Sequence, residues 1–231
     1  MIQAGFWLLC TVIIYLAAKR IYLTFPKIYF TPLLITPLVV ITIIIISGVS
    51  YDTYNKGAVW LTNLVEPATI ALAVMLYKHI NVLKKNILAI LVSVCCGAMT
   101  AFLSTTALAQ LFGLKNDILA SLAPRTATTP IAVSISGMIG GVPTITAVAT
   151  MITGLIGMIM GPLIIKWCSI RNPIGQGTLF GTSAHSAGIS KAFEYDGVAG
   201  SIASIAMILT AFITLIIVPW LLALFRQGFL L

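Results

Sequence analysis

Between Asp117 and Lys166 the chain has one charged residue, Arg125. It lies in Ser121-Leu-Ala-Pro-Arg-Thr-Ala-Thr-Thr-Pro-Ile-Ala-Val-Ser-Ile-Ser136. A guanidinium presents a planar fork that grips a carboxylate through two parallel hydrogen bonds. Pro130 removes a backbone donor nearby, and Thr126, Thr128 and Thr129 offer hydroxyls to the backbone groups that a broken helix frees. Arg125, Thr128, Thr129 and Pro130 are therefore candidate substrate-binding residues. Glu66-Pro67-Ala-Thr69 is a second such place. There Glu66 and Thr69 either join the same site, or Glu66 forms an internal ion pair with Arg125. Pro67 is a candidate hinge. His185 is a third candidate, because an imidazole with an ordinary pKa near 6.5 can take up and release protons. Glu194 is a second proton-coupling candidate. Ser183 and Ser186 flank His185, but no acid completes a triad in the motif, so an enzyme is not expected.

The elements that position these groups are made for lipid. Of 231 residues, 60% are hydrophobic and only 8% charged, about a third of the charge of an ordinary soluble domain. A guanidinium at membrane depth costs roughly 2.5 kcal/mol or more, so Arg125 should face a polar cavity or a partner. The net charge of +8 comes from lysines and arginines in short connections between apolar runs. That is the topological bias of membrane proteins and not a nucleic-acid surface. Cys10, Cys95, Cys96 and Cys168 show no metal-ligand or disulfide spacing. Neither metal nor cofactor is expected.

Apolar runs cover Ile2 to Ala18, Pro32 to Gly48, Ala58 to Tyr77, Asn86 to Phe112, Val142 to Ile165 and Gly197 to Phe225. Tyr51 to Gly57 reads as an aromatic, polar connection at the interface. Gly154, Gly157 and Gly161, spaced three and four apart, mark a helix face for close packing. Gly181 and Gly188 belong with them as packing or hinge positions, in a stretch from Asn172 to Tyr195 that reads as a cavity-lining helix. The Lys19 to Lys27, Lys78 to Lys85 and Lys166 to Arg171 connections are basic; those around Asp52, Asp117 and Glu194 are near neutral or acidic. Placing the basic ones in the cytoplasm puts the N-terminus outside and the C-terminus inside. An odd number of crossings must then separate Asp117 from Lys166, so the stretch from Ser121 to Ser136, within segment 118–141, is expected to re-enter instead of crossing. The reading is an all-α polytopic membrane protein, one domain over residues 1–231. It has about seven transmembrane helices plus at least one re-entrant or discontinuous helix.

An internal, inverted repeat is also suggested. Glu66 to Val74 laid over Arg125 to Val133 matches Ala68 with Ala127, Thr69 with Thr128, Ala73 with Ala132 and Val74 with Val133. Each copy opens on the one charge of its apolar segment and contains a helix-breaking proline. Two interrupted helices meeting near the midplane would offer free N–H groups and positive dipole ends to an anion.

In order, Tyr51 to Gly57, Glu66 to Ala73, Leu76-Tyr77-Lys78, Leu122 to Ala132, Gly140-Gly141, Gly154 to Gly157, Gly177 to Gly188, Glu194 and Ser201 to Ala206 resemble the LrgB/CidB family of bacterial membrane proteins. The Glu66-Pro-Ala-Thr69 and Arg171-Asn-Pro-Ile174 pieces look closer to its LrgB branch. Met75 stands where that family often has proline, and Gly188-Ile-Ser190 departs from its usual continuation. The resemblance implies a bacterial cell-membrane location and an LrgA/CidA-like small membrane partner. It also implies one of two roles. One is an antiholin- or holin-like factor that modulates murein hydrolase activity, cell lysis and programmed cell death. The other is a carrier of small organic acids such as pyruvate or glycolate. A carrier of a small monocarboxylate is the favoured expectation, because a pore gives no reason for an arginine beside a Thr-Thr-Pro break. A homo-oligomer, a dimer, is expected.

Overall fold

The computed structural model describes residues 2–25, 30–64, 67, 70, 77 and 80–228. The chain divides into two compact units, Met1–Val74 and Met75–Leu231. Every element among the described residues is helical, as burial in lipid requires of a backbone that must satisfy its own hydrogen bonds. Among the described residues, four helices are long and apolar enough to cross a membrane; two further apolar helices, Pro32–Ser47 and Thr129–Met138, are shorter.

The first unit contains α1 (Ile2–Thr24), α2 (Pro32–Ser47) and α3 (Tyr51–Asn63). Proline at the start of α2 and left-handed Gly48 at its end bound that helix cleanly. Tyr51 to Gly57, expected as a connection, is the first half of α3. Ser50 caps it by accepting from the Thr53 N–H, and Asp52 sits in its positive first turn. Trp7 is buried edge-on against Tyr54, their ring centroids 5.9 Å apart. Glu66 and Thr69 lie outside the described residues, and so does most of the first copy of the suggested repeat; Pro67 is described and exposed.

The second unit contains α4 (Ile80–Leu111), α5 (Asn116–Leu122), α6 (Thr129–Met138), α7 (Pro143–Trp167), α8 (Pro173–Tyr195) and α9 (Gly197–Gly228). Helices α5 and α6, of 7 and 10 residues, rise about 10 and 15 Å, too little to cross a hydrocarbon layer of about 30 Å. They form a hairpin. The Val142 N–H donates to Ser121 Oγ at 2.7 Å, so the chain returns beside its outgoing arm. Ile139 packs against the cluster of Ala109, Leu119, Ala120 and Leu222. At Gly141 a Cβ would fall 2.8 Å from the Ser121 nitrogen. Thr146 Oγ1 closes the base, 2.9 Å from the Ser121 carbonyl and 2.6 Å from Ser136 Oγ.

Helix α8 is a second hairpin. His185 interrupts it at φ 50°, ψ −136°. Phe180 and Tyr195 would stand about 22 Å apart along a straight helix, yet their ring centroids are 5.7 Å apart. A Cβ on Gly188 would fall 2.3 Å from the Phe180 carbonyl oxygen. The chain therefore doubles back at His185, and α9 begins where α8 began. From there α9 runs parallel to the first arm, with Gly177 against Ala199 and Gly181 against Ala203.

Two hairpin-and-span pairs thus follow one another in opposite senses, α5–α6 with α7 and α8 with α9. This corrects the charge tally. Residues 194–196 lie at the same end of the unit as Lys166 and Arg171, because α8 turns back instead of crossing. Helix α9 then ends beside the opposite end, where Leu222 packs with Ala109 and Leu119. The last described turn of α9 is therefore not on the side of the Lys166 to Arg171 connection, where the tally put the end of the chain.

Candidate functional site

The turn between α5 and α6, residues 123–128, carries Arg125 on its tip. Pro124 and Pro130 keep the backbone from closing into one helix there. The half-buried guanidinium reaches two spanning helices. Its Nε donates to Thr105 Oγ1 of α4 at 3.1 Å, and Nη1 donates to Thr153 Oγ1 of α7 at 3.3 Å. Thr153 stands near the middle of the 25 residues of α7. The ion pair found among the described residues joins Lys191 to Glu194, so the two partners of Arg125 there are neutral hydroxyls.

The tip of the second hairpin meets this turn. His185, 5% exposed, places Nε2 3.1 Å from the carbonyl oxygen of Arg125. A carbonyl only accepts, so Nε2 carries the hydrogen. Nδ1 is buried without a hydrogen-bond partner among the described residues. Gly154 on α7 faces the ring, where a Cβ would stand at an ordinary contact distance of 3.7 Å from the imidazole Cδ2. At Gly157 a Cβ would fall 2.5 Å from the Ser183 carbonyl oxygen, and at Gly161 2.3 Å from the Phe180 ring. The glycine face of α7 therefore seats the first arm of α8 and brings His185 to mid-span. Thr126 reaches α9, with its Oγ1 3.4 Å from Thr214 Oγ1.

Of the expected site residues, the structure joins Arg125 with His185. Thr128 is the residue before α6 and half-buried, while Thr129 and Pro130 begin the helix and are exposed. Among the described residues, no hydrogen bond ties their side chains to Arg125. Glu194 lies at the base of the second hairpin, about 13 Å along the helix from the tip, exposed and paired with Lys191. It is not at the Arg125–His185 meeting point. Thr105 and Thr153 were not legible as site residues, since threonines within apolar runs are common and usually bond their own helix.

A family profile described as "LrgB-like family" matches residues 11–224. "Uncharacterized protein YwbG" of Bacillus subtilis (strain 168) is 45% identical over 216 residues, 94% of this chain and 96% of the relative. "Holin-like protein CidB" of Staphylococcus aureus (strain Mu50 / ATCC 700699) is 34% identical over 224 residues, 97% of this chain and 98% of that protein. No solved structure matches the chain. With a profile spanning almost its whole length and relatives collinear from end to end, this chain belongs to the LrgB-like family of membrane proteins.

Proposed function

We propose that this protein carries small monocarboxylates, pyruvate-like in size, across the bacterial cell membrane, acting with an LrgA-like subunit and as a homodimer. One observation carries the reading. Arg125 sits at the tip of one hairpin, against the tip of another, with only neutral hydroxyls as side-chain partners among the described residues. A cation so placed attracts an anion strongly, because the surrounding apolar helices screen little. The half-helices starting at Thr129 and Ser186 both begin at the tips, adding two positive dipole ends. One guanidinium matches one carboxylate. Thr128, Thr129 and the backbone around Pro130 would complete the cradle.

The hairpins reach the tips from opposite ends, and together with their spans they read as an inverted repeat. Opening one hairpin exposes the site to one side, and opening the other exposes it to the other side, as alternating access needs. Lys84, Lys85, Lys166 and Arg171 share one end of the second unit, which the positive-inside rule assigns to the cytoplasm. His185 would couple movement to protons through Nδ1. Uptake of labelled pyruvate or lactate into vesicles, with and without the LrgA-like partner, tests the reading. Arg125→Gln should abolish uptake and leave membrane insertion intact; normal uptake by that variant would overturn the site. An unchanged pH profile in His185→Asn would remove proton coupling.

The second reading is an antiholin- or holin-like regulator of murein hydrolases without transport of its own. The name "Holin-like protein CidB" borne by relatives favours it. Lysis control that survives Arg125→Gln, in a protein showing no uptake, would select it.

A further inference from the structure

Resting on that carrier reading, we infer that Thr105 and Thr153 are parts of the anion site. Thr105 is a positioning residue for the guanidinium, and Thr153 is both a positioning residue and a direct donor to the bound carboxylate.

The two hydroxyls differ in what they have left to give. Thr105 Oγ1 lies 2.6 Å from the Ala101 carbonyl, so its one hydrogen goes to its own helix and a lone pair receives Arg125 Nε. It is buried and has nothing further to offer. Thr153 behaves otherwise. On the same helix Thr146 and Thr150 lie within hydrogen-bond distance of the carbonyl four residues back. Thr153 makes no such bond among the described residues; its hydroxyl accepts from Arg125 Nη1 at 3.3 Å. Its hydrogen is therefore available to an acceptor beside the guanidinium.

Arg125 is left with a complementary set. Two of its five N–H donors are held by threonines from two different spans, which fixes the plane of the guanidinium. Three donors have no partner among the described residues, including both on Nη2. A carboxylate meeting Nη1 and Nη2 end-on makes two parallel bonds and brings an oxygen to the Thr153 side, where the free hydroxyl hydrogen meets it. Arginine side chains are costly to immobilise, so prior fixation by two hydroxyls should appear as affinity.

The test is vesicle uptake of labelled pyruvate, with pyruvate-induced thermal stabilisation of detergent-solubilised protein as a second readout. For Thr153→Val, KM should rise by about tenfold or more, the range for hydrogen bonds to a charged group, with maximal rate changing far less. Thr153→Ser should restore KM, because serine keeps the hydroxyl. Thr105→Val should raise KM less than Thr153→Val does. Arg125→Gln should remove both uptake and stabilisation. If Arg125→Gln is silenced while Thr153→Val keeps a native KM and native stabilisation, the carrier reading stands and this inference falls. A fall in maximal rate at constant KM, or failure of serine to rescue, would also overturn it. Absence of uptake and stabilisation in the native protein would overturn both.

Discussion

The imidazole of His185 donates to the backbone carbonyl of Arg125 at 3.1 Å, across 60 positions of sequence. Because the acceptor is main chain, the contact between the two hairpin tips does not depend on the arginine side chain. Replacing Arg125 by glutamine therefore removes the charge and leaves the junction in place. Arg125→Gln thus tests the guanidinium with the hairpin tips still joined, and the loss of its bonds to Thr105 and Thr153 should lower thermal stability by no more than about 3 kcal/mol.

The backbone of His185 is itself strained. A φ of 50° with ψ of −136° is a conformation that glycine adopts freely and side chains resist, at roughly 1–3 kcal/mol. His185→Ala loses the bond to Arg125 and keeps the strain; His185→Gly loses the bond and releases it. The glycine variant should be the more stable of the two by about 1–2 kcal/mol in thermal unfolding. Equal melting temperatures would show that the position carries no strain.

Glycines on α7 and α8 should divide by what a methyl group would strike. At Gly157 a Cβ falls 2.5 Å from the Ser183 carbonyl oxygen, and at Gly181 2.3 Å from that of Ala203, both backbone atoms unable to swing aside. Alanine at either should destabilise by about 1–3 kcal/mol. Gly97 on α4 is the control, since a Cβ there meets Thr182 at an ordinary 3.7 Å. Gly97→Ala should hold or raise stability, by up to about 1 kcal/mol through helix propensity.

These contacts mark what the sequence announced. Arg125 beside proline and paired threonines predicted an interrupted element, and α5–α6 is one. The Gly154, Gly157 and Gly161 spacing predicted a close-packed face, and it meets α8. The doubling-back of α8 carried no such signal. Between Pro173 and Lys191 no proline or charge interrupts the run, and a histidine at positive φ cannot be read from residue type. Its only trace was the density of small residues, Gly177, Gly181, Ala184 and Gly188, which two arms and α9 need in order to touch. Thr153 was invisible for another reason: what sets it apart from Thr150 is a bond it does not make to its own helix. About seven spans were expected, and four helices among the described residues have the length and apolarity. Part of that difference is α8, whose 23 residues fold over instead of crossing.

The base of the first hairpin should be the most sensitive polar position outside the site. Thr146 is fully buried and serves both the Ser121 carbonyl and the Ser136 hydroxyl. Thr146→Val keeps the shape and leaves those groups without their partner, at about 1–3 kcal/mol. Thr150 on the next turn is within bonding distance of the Thr146 carbonyl, which the helix already satisfies. Thr150→Val should cost well under that amount, and comparable losses in thermal unfolding would discount the clasp.

Which side of the membrane residue 196 faces separates the doubled-back α8 from a spanning one. If α8 crossed, Asn172 and Asp196 would lie on opposite faces. In the folded-back arrangement they share a face, and Asn116 lies on the other, since α7 alone separates the first hairpin's base from Lys166. With Cys10, Cys95, Cys96 and Cys168 replaced by serine or alanine, single cysteines at 116, 172 and 196 can be probed with a membrane-impermeant thiol reagent. Tests on intact cells and on inverted vesicles together should give 172 and 196 the same sidedness and 116 the reverse. Opposite labelling of 172 and 196 would restore α8 as a crossing helix. It would also separate His185 from Arg125, because the tip-to-tip contact exists only if both hairpins turn back at mid-span.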